Sequence, residues 1–166
     1  MWQNPATLHN KRLCSQQVGN ALFESGWTQI KYIALNEWSA DEFSTGLDLG
    51  NRNLSIPDLI VMAGILKRNN QIGFLNLSSN SLAPAISMSD RPRLLGQRFD
   101  CAGMQSLCHT LGNDNKSVKQ LGLSNCSLHA GPAVDSIIEL ISKNSRRLIN
   151  IDLRGALKLE DVKYFK

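Results

Sequence analysis

The sequence is short of aromatic residues, of cysteine and of any long apolar run. Phenylalanine, tryptophan and tyrosine make up 6% of the 166 residues, and charged residues make up 19%. No apolar stretch approaches the roughly 20 residues that a transmembrane helix needs, so we expect no membrane insertion. The hydrophobic fraction of 42% excludes a disordered tail and is typical of one folded domain of ordinary size.

The common catalytic motifs are also missing. The sequence contains no GxSxG, no glycine-rich phosphate loop, no HExxH and no DxDxD pattern. The histidines are scattered, at His9, His109 and His129. We therefore expect a non-enzymatic protein without a cofactor, a metal or a small-molecule substrate.

Cysteine usage points to a reducing compartment. There is no CxxC pair among the four cysteines, which are Cys14, Cys101, Cys108 and Cys126. Buried, reduced thiols are favoured over a disulfide framework. The first 23 residues contain no acidic residue but include Lys11 and Arg12, a faint resemblance to a mitochondrial presequence. A cytoplasmic location is therefore expected, with a mitochondrial one as the alternative.

A short pattern of alternating leucines occurs four times. The copies are LDLGNRNL from Leu47, LNLSSNSL from Leu75, LGLSNCSL from Leu121 and the degraded IDLRGALK from Ile151. They start 28, 46 and 30 residues apart, so the middle interval is one repeat plus an insertion at residues 83–98. Alternation predicts a short strand in each copy, and the regular period predicts that neighbouring copies stack.

Helical patterns separate these strands. Ser55 is a predicted helix cap, with Pro57 in the first turn and Asp58 three residues after the cap. The second helix carries apolar residues at helical spacing at Met104, Leu107, Cys108 and Leu111, and the third at Val134, Ile137, Ile138 and Ile141. Each repeat is thus a strand, a turn, a helix and a return loop, and Leu47, Leu75, Leu121 and Ile151 should lie side by side.

The chain resembles leucine-rich-repeat proteins of the ribonuclease-inhibitor type. The resemblance covers about residues 43–157 and is carried by the period, by Asn80 and Cys126 after two strands, and by Gly103, Leu107 and Leu111 in one helix. It departs at Arg52 and Ala156, where the family has Asn or Cys, and at the insertion. It implies an α/β leucine-rich-repeat solenoid, a partial horseshoe with parallel strands on the concave side and helices on the convex side. It also implies protein binding, as in cytosolic regulators and axonemal complexes, so the cytoplasmic location includes the cytoskeleton and axoneme.

Three regions are predicted along the chain. Residues 1–45 form an N-terminal helix, over residues 6–25, and a capping segment, with Ile33 and Leu35 in an initial strand and Trp38 and Phe43 closing the end. Residues 46–158 hold the repeats, and residues 159–166 form a short C-terminal helix. A repeat stack exposes core and an unpaired strand edge where it ends, so we expect the C-terminal end to meet another protein.

The concave sheet face is the first candidate binding surface. By alternation its side chains include Asp48, Phe74, Asn76, Asp152 and Arg154. The surface is small, polar and weakly charged, and it is short of the aromatic anchors common in interfaces. Asp48 and Asp152 lie three repeats apart, too far for a catalytic carboxylate pair. A partner site and a plain solvated face are both open interpretations.

Basic residues provide the second candidate surface, within a chain of net charge +4. The insertion contributes Arg91, Arg93, Leu94, Leu95 and Arg98, and the predicted return loops contribute Lys67, Arg68, Lys116, Lys119, Lys143, Arg146 and Arg147. Cations at helix C-termini also simply complement the helix dipole. The leading hypothesis is an interaction or scaffold subunit that binds protein subunits of a larger assembly. The alternative is a peripheral ribonucleoprotein subunit that contacts RNA through the basic loop edge.

Overall fold

A computed structural model shows that the chain is a mixed α/β protein in which short strands alternate with helices. The structure describes residues 17–18, 21, 32–34, 39–41, 45–67, 69–83, 100–128, 131–144 and 147–157. Residues 17, 18 and 21 are helical, and two strands follow, β1 (Tyr32–Ala34) and β2 (Ser39–Asp41). The other elements are β3 (Gly46–Asp48), α1 (Ile56–Leu66), β4 (Phe74–Asn76), α2 (Ala102–Asn113), β5 (Gln120–Gly122), α3 (Gly131–Asn144) and β6 (Asn150–Asp152).

The four leucine patterns form one parallel sheet. Its strands lie in chain order, β3-β4-β5-β6. Leu47 pairs with Leu75, Leu75 with Leu121, and Leu121 with Ile151. The predicted α/β class and this side-by-side register are confirmed. The register follows from burial, because a slip of one residue would turn every leucine to the opposite face of the sheet.

The three helices lie where their apolar spacing predicts them. At the start of α1 the backbone N–H of Ser55 donates to Asp58 Oδ2 at 2.8 Å, which is half of a capping box. Successive helices pack against each other, α1 on α2 and α2 on α3. Among the described residues no helix combines the length and the apolar character needed to cross a bilayer.

The core lies between the helices and one face of the sheet. Leu75 and Leu77 of the second repeat, Met62 and Leu66 of α1 and Leu107 of α2 are fully buried. One continuous cluster joins these residues across the repeats. Burying a leucine-sized side chain contributes about 1.5–3 kcal/mol, and no single repeat could complete this cluster by itself.

The turns that follow the strands share one backbone conformation. A left-handed residue stands four positions after the first residue of each pattern, at Asn51, Ser79, Asn125 and Gly155. Left-handed backbone is tolerated best by glycine and asparagine, which occupy three of these positions. The turn is therefore repeated even in the degraded fourth copy.

The N-terminal strand differs from the expectation. β1 contains Ile33, as predicted, but it pairs antiparallel with β2 and belongs to a separate two-stranded sheet. Only 14 residues separate Ile33 from Leu47, too few for a helix-containing crossover between parallel strands. Outside the described residues lie Leu35, Trp38, Phe43, most of the helix predicted over residues 6–25, nearly all of the insertion, and residues 159–166.

Candidate functional site

One face of the parallel sheet is not covered by any helix of the described residues, and it defines the candidate site. Its side chains alternate with the buried leucines, and we call the surface that they form the open face. The open face comprises Gly46, Asp48, Phe74, Asn76, Gln120, Gly122, Asn150 and Asp152, and the turn residues Gly50, Ser78, Ser124 and Arg154. It brings together five predicted site residues, namely Asp48, Phe74, Asn76, Asp152 and Arg154.

Hydrogen bonds hold Asp48 and Asn76 in place on neighbouring strands. The Asn76 side-chain amide donates to Asp48 Oδ1 at 2.7 Å, and the Gly50 backbone N–H donates to the same oxygen at 3.2 Å. Asn76 Oδ1 accepts the backbone N–H of Ser78 at 3.0 Å. The Asn76 amide is thereby oriented from both ends, so the Asp48 carboxylate is positioned before any ligand arrives.

Asp152 on β6 occupies the same register position as Asp48 and Asn76 but has a different hydrogen-bond partner. The Arg154 guanidinium contacts both carboxylate oxygens, with Nε 2.9 Å from Oδ1 and Nη2 2.8 Å from Oδ2. Hydrogen bonding to Arg154 lowers the pKa of Asp152 to about 2 and raises that of Arg154. Between this ion pair and Asn76 stands Gly122, where a Cβ would lie 2.6 Å from Asn76 Oδ1. Only glycine therefore fits at position 122, and the series of side chains from Asp48 to Asp152 is interrupted there.

An aromatic ring also lies on the open face. Phe74 exposes 38% of its surface. Its ring leans toward β3, because a Cβ on Gly46 would lie 3.3 Å from Phe74 Cδ1. The ring, the Asn76 amide and the Asp48 carboxylate are therefore neighbours on β3 and β4.

The basic surface is only partly assembled within the described residues. Lys143 lies in the last turn of α3, not in a loop as predicted, because the helix continues to Asn144. It pairs with Glu139 at 2.5 Å, and Lys67 lies 3.9 Å from Asp114. Exposed cations remain at Lys116 and Lys119, and Arg147 is half-buried. Outside the described residues lie Arg68, Arg91, Arg93, Leu94, Leu95, Arg98 and Arg146.

Sequence reasoning overlooked two buried asparagines in the return loops. Asn115 donates its side-chain amide to the carbonyl oxygens of Leu66, at 2.6 Å, and Asn69, at 2.9 Å, and accepts the N–H of Val118. Asn69 likewise accepts the N–H of Ile72. The available signal is their spacing of 46 residues, the same as that between Leu75 and Leu121. The Asn115 side chain thus ties one repeat to the preceding one, and the Asn69 side chain holds its own return loop.

A shallow groove of about 200 Å³ lies on the helix side, between α2 and α3. Its lining includes His109, Cys108, Glu139 and Lys143. Lys143 lowers the pKa of Glu139 chiefly by hydrogen bonding, and burial raises that of the Cys108 thiol to about 12. The charges of the groove are thus paired with each other, and its thiol is protonated at neutral pH.

Comparison with known proteins adds no relative. No family model, no curated protein and no solved structure matches this chain. Within the described ranges, no group of three or more histidine, cysteine, aspartate or glutamate residues could hold a metal ion.

Proposed function

We propose that the chain is a leucine-rich-repeat protein of the ribonuclease-inhibitor type, whose repeats form a partial horseshoe. The observation that supports this most is the register of Leu47, Leu75, Leu121 and Ile151 on four successive strands. A helix is about 10 Å wide, whereas neighbouring strands lie about 4.8 Å apart. A stack of such units curves toward its strands, which puts the open face on the concave side.

The function that we propose is non-catalytic binding of a protein partner by the open face, as a subunit of a larger assembly. Support comes from its mixed chemistry, since the exposed ring of Phe74 lies beside the oriented polar groups of Asp48 and Asn76. Aromatic anchors within a polar surround are typical of protein interfaces. The described cysteines, Cys101, Cys108 and Cys126, are free and buried, which supports a cytoplasmic location.

RNA binding is the weaker proposal. It requires a row of free cations along the return loops, because phosphate contacts supply most of the affinity for nucleic acid. Two of the predicted cations, Lys67 and Lys143, instead lie within ion-pair distance of Asp114 and Glu139. Protein binding is therefore the function that the described residues favour.

Site-specific photocrosslinking in cells that naturally express the chain tests this function. Benzoylphenylalanine replaces Phe74 on the open face in one variant and Asp135, exposed on α3, in the matched control. We expect a discrete protein adduct from position 74 that is absent from position 135. Adducts of equal yield from both positions would contradict the proposal, as would an adduct with RNA alone from a probe at Lys119.

A further inference from the structure

Two turns at opposite ends of the sheet have the same backbone arrangement. The Gly50 N–H donates to Asp48 Oδ1 at 3.2 Å on β3, and the Arg154 N–H donates to Asp152 Oδ1 at 3.1 Å on β6. Each aspartate is the second residue of its leucine pattern, and the donor is the fourth. The two carboxylates therefore occupy equivalent positions in the first and last copies.

The two turns differ in the side chain of the residue whose N–H donates to the aspartate, Gly50 in one turn and Arg154 in the other. At β6, the guanidinium of Arg154 covers both oxygens of Asp152. At β3, the equivalent residue is Gly50, which has no side chain. The Asn76 side-chain amide donates a hydrogen bond only to Oδ1 of Asp48, at 2.7 Å. In the part of the chain that the structure describes, no lysine or arginine forms an ion pair with Asp48.

The surroundings of Asp48 suit a planar cation. Its Oδ1 already accepts two hydrogen bonds, whereas Oδ2 accepts none from the residues that the structure describes. Phe74 leans over Gly46, which precedes Asp48 by two residues and points to the same face. A guanidinium can donate to a carboxylate while it lies against an aromatic ring, a combination that the compact ammonium of lysine matches less well.

We propose that Asp48 binds an arginine side chain of the partner protein, with Phe74 contacting the same group. This inference rests on the proposed function, namely that the open face binds protein. The arginine donates to Asp48 Oδ2, as Arg154 Nη2 donates to Asp152 Oδ2, because Asp48 Oδ1 already accepts the Asn76 amide and the Gly50 N–H. The partner segment thus has an exposed arginine where it crosses β3 and β4.

Selection of short random peptides on the full chain tests the proposal without a known partner. The strongest peptides are synthesised, and their dissociation constants are measured by fluorescence anisotropy. We expect the selected peptides to share an arginine, and Asp48→Asn to weaken their binding about tenfold. Asparagine retains the side-chain oxygen that accepts the Gly50 N–H. Replacing the peptide arginine by lysine should weaken binding by about threefold or more.

The matched control is Asp135→Asn, which removes the same charge from the exposed surface of α3 and should leave binding unchanged. Peptides that lose affinity with Phe74→Ala but not with Asp48→Asn would overturn the arginine site and leave the proposed function standing. Peptides that respond to neither change, or a selection that returns no binder, would count against both.

Discussion

Asp152 and Arg154 form an ion pair through both carboxylate oxygens, at 2.9 and 2.8 Å, on the last strand of the parallel sheet. The two residues are separated by one position, so the pair needs no contact from another repeat. It neutralises one end of the open face, while Asp48 at the other end forms no ion pair with a lysine or arginine among the described residues. The two ends of the open face therefore differ electrostatically.

The Asp152–Arg154 pair predicts a specific acid titration. Hydrogen bonding to Arg154 lowers the pKa of Asp152 to about 2, below the value in an unfolded chain. The pair therefore favours the folded state above the ordinary pKa of aspartate, and this contribution is lost as the pH falls toward about 2. We expect Arg154→Ala to raise the pKa of Asp152 toward its ordinary value, as followed by NMR of the side-chain carboxyl carbon. An unchanged pKa would exclude Arg154 as the cause.

Asn80→Ala should destabilise the protein severely. The buried Asn80 side chain accepts the N–H groups of Arg52 and Leu54 and donates to the carbonyl oxygens of Leu49 and Leu77, all within 3.1 Å. Removing it leaves several buried backbone groups unpaired, so we expect a loss of about 3 kcal/mol in the free energy of unfolding, measured in urea.

The control for this prediction is Asn150→Ala, because Asn150 is exposed at the start of β6. We expect the control to change stability by less than about 0.5 kcal/mol. Similar losses in the two variants would show that the network around Asn80 adds no more stability than a surface residue.

Gly103→Ala tests the close packing of α2 on α1. A Cβ at this position would lie 2.9 Å from the Leu59 Cβ and 3.0 Å from the Ile56 carbonyl oxygen. We expect a loss of about 1–3 kcal/mol in urea unfolding, because neither atom is the end of a flexible side chain. Gly131→Ala is the matched control, since nothing lies within 4 Å of its added methyl group. Equal stability of the two variants would mean that the helices are farther apart.

Buried thiols should resist alkylation in the native protein. Burial raises the pKa of Cys108 to about 12 and that of Cys126 to about 11. Because only the thiolate reacts, we expect iodoacetamide to label both residues much more slowly in buffer at about pH 8 than in denaturant. Peptide mass spectrometry separates the two sites. Rapid labelling of Cys108 in the native state would show that the groove between α2 and α3 opens to solvent.

Much of the fold could be predicted because the repeat makes local and long-range signals agree. Alternation at Leu75 and Leu77 indicates a strand, and the same pattern 46 residues later, from Leu121, indicates the neighbouring strand. The copy that starts 28 residues earlier, at Leu47, places Asp48 beside Asn76 on the open face. The irregular parts have no second copy for comparison, so the sequence predicts a strand at Ile33 but not its antiparallel partner β2.

Other features depend on geometry that composition does not encode. The apolar spacing of α3 ends at Ile141 and predicts Lys143 in a return loop, whereas the helix continues through Asn144. The pairing of Lys67 with Asp114 arises between two return loops, where sequence spacing predicts no register. The sequence shows that Gly50 and Arg154 occupy equivalent positions in their repeats. Only the structure shows that the same turn places both residues beside an aspartate carboxylate.

Nuclear Overhauser effects between methyl groups test the central claim most directly, namely that the repeats lie side by side in chain order. Neighbouring parallel strands are about 4.8 Å apart, so residues three strands apart, such as Leu47 and Ile151, are about 14 Å distant. We expect cross-peaks joining Leu47 to Leu75, Leu75 to Leu121, and Leu121 to Ile151, and none joining Leu47 to Ile151. A missing contact between Leu75 and Leu121, or a direct one between Leu47 and Ile151, would contradict the strand order on which the open face depends.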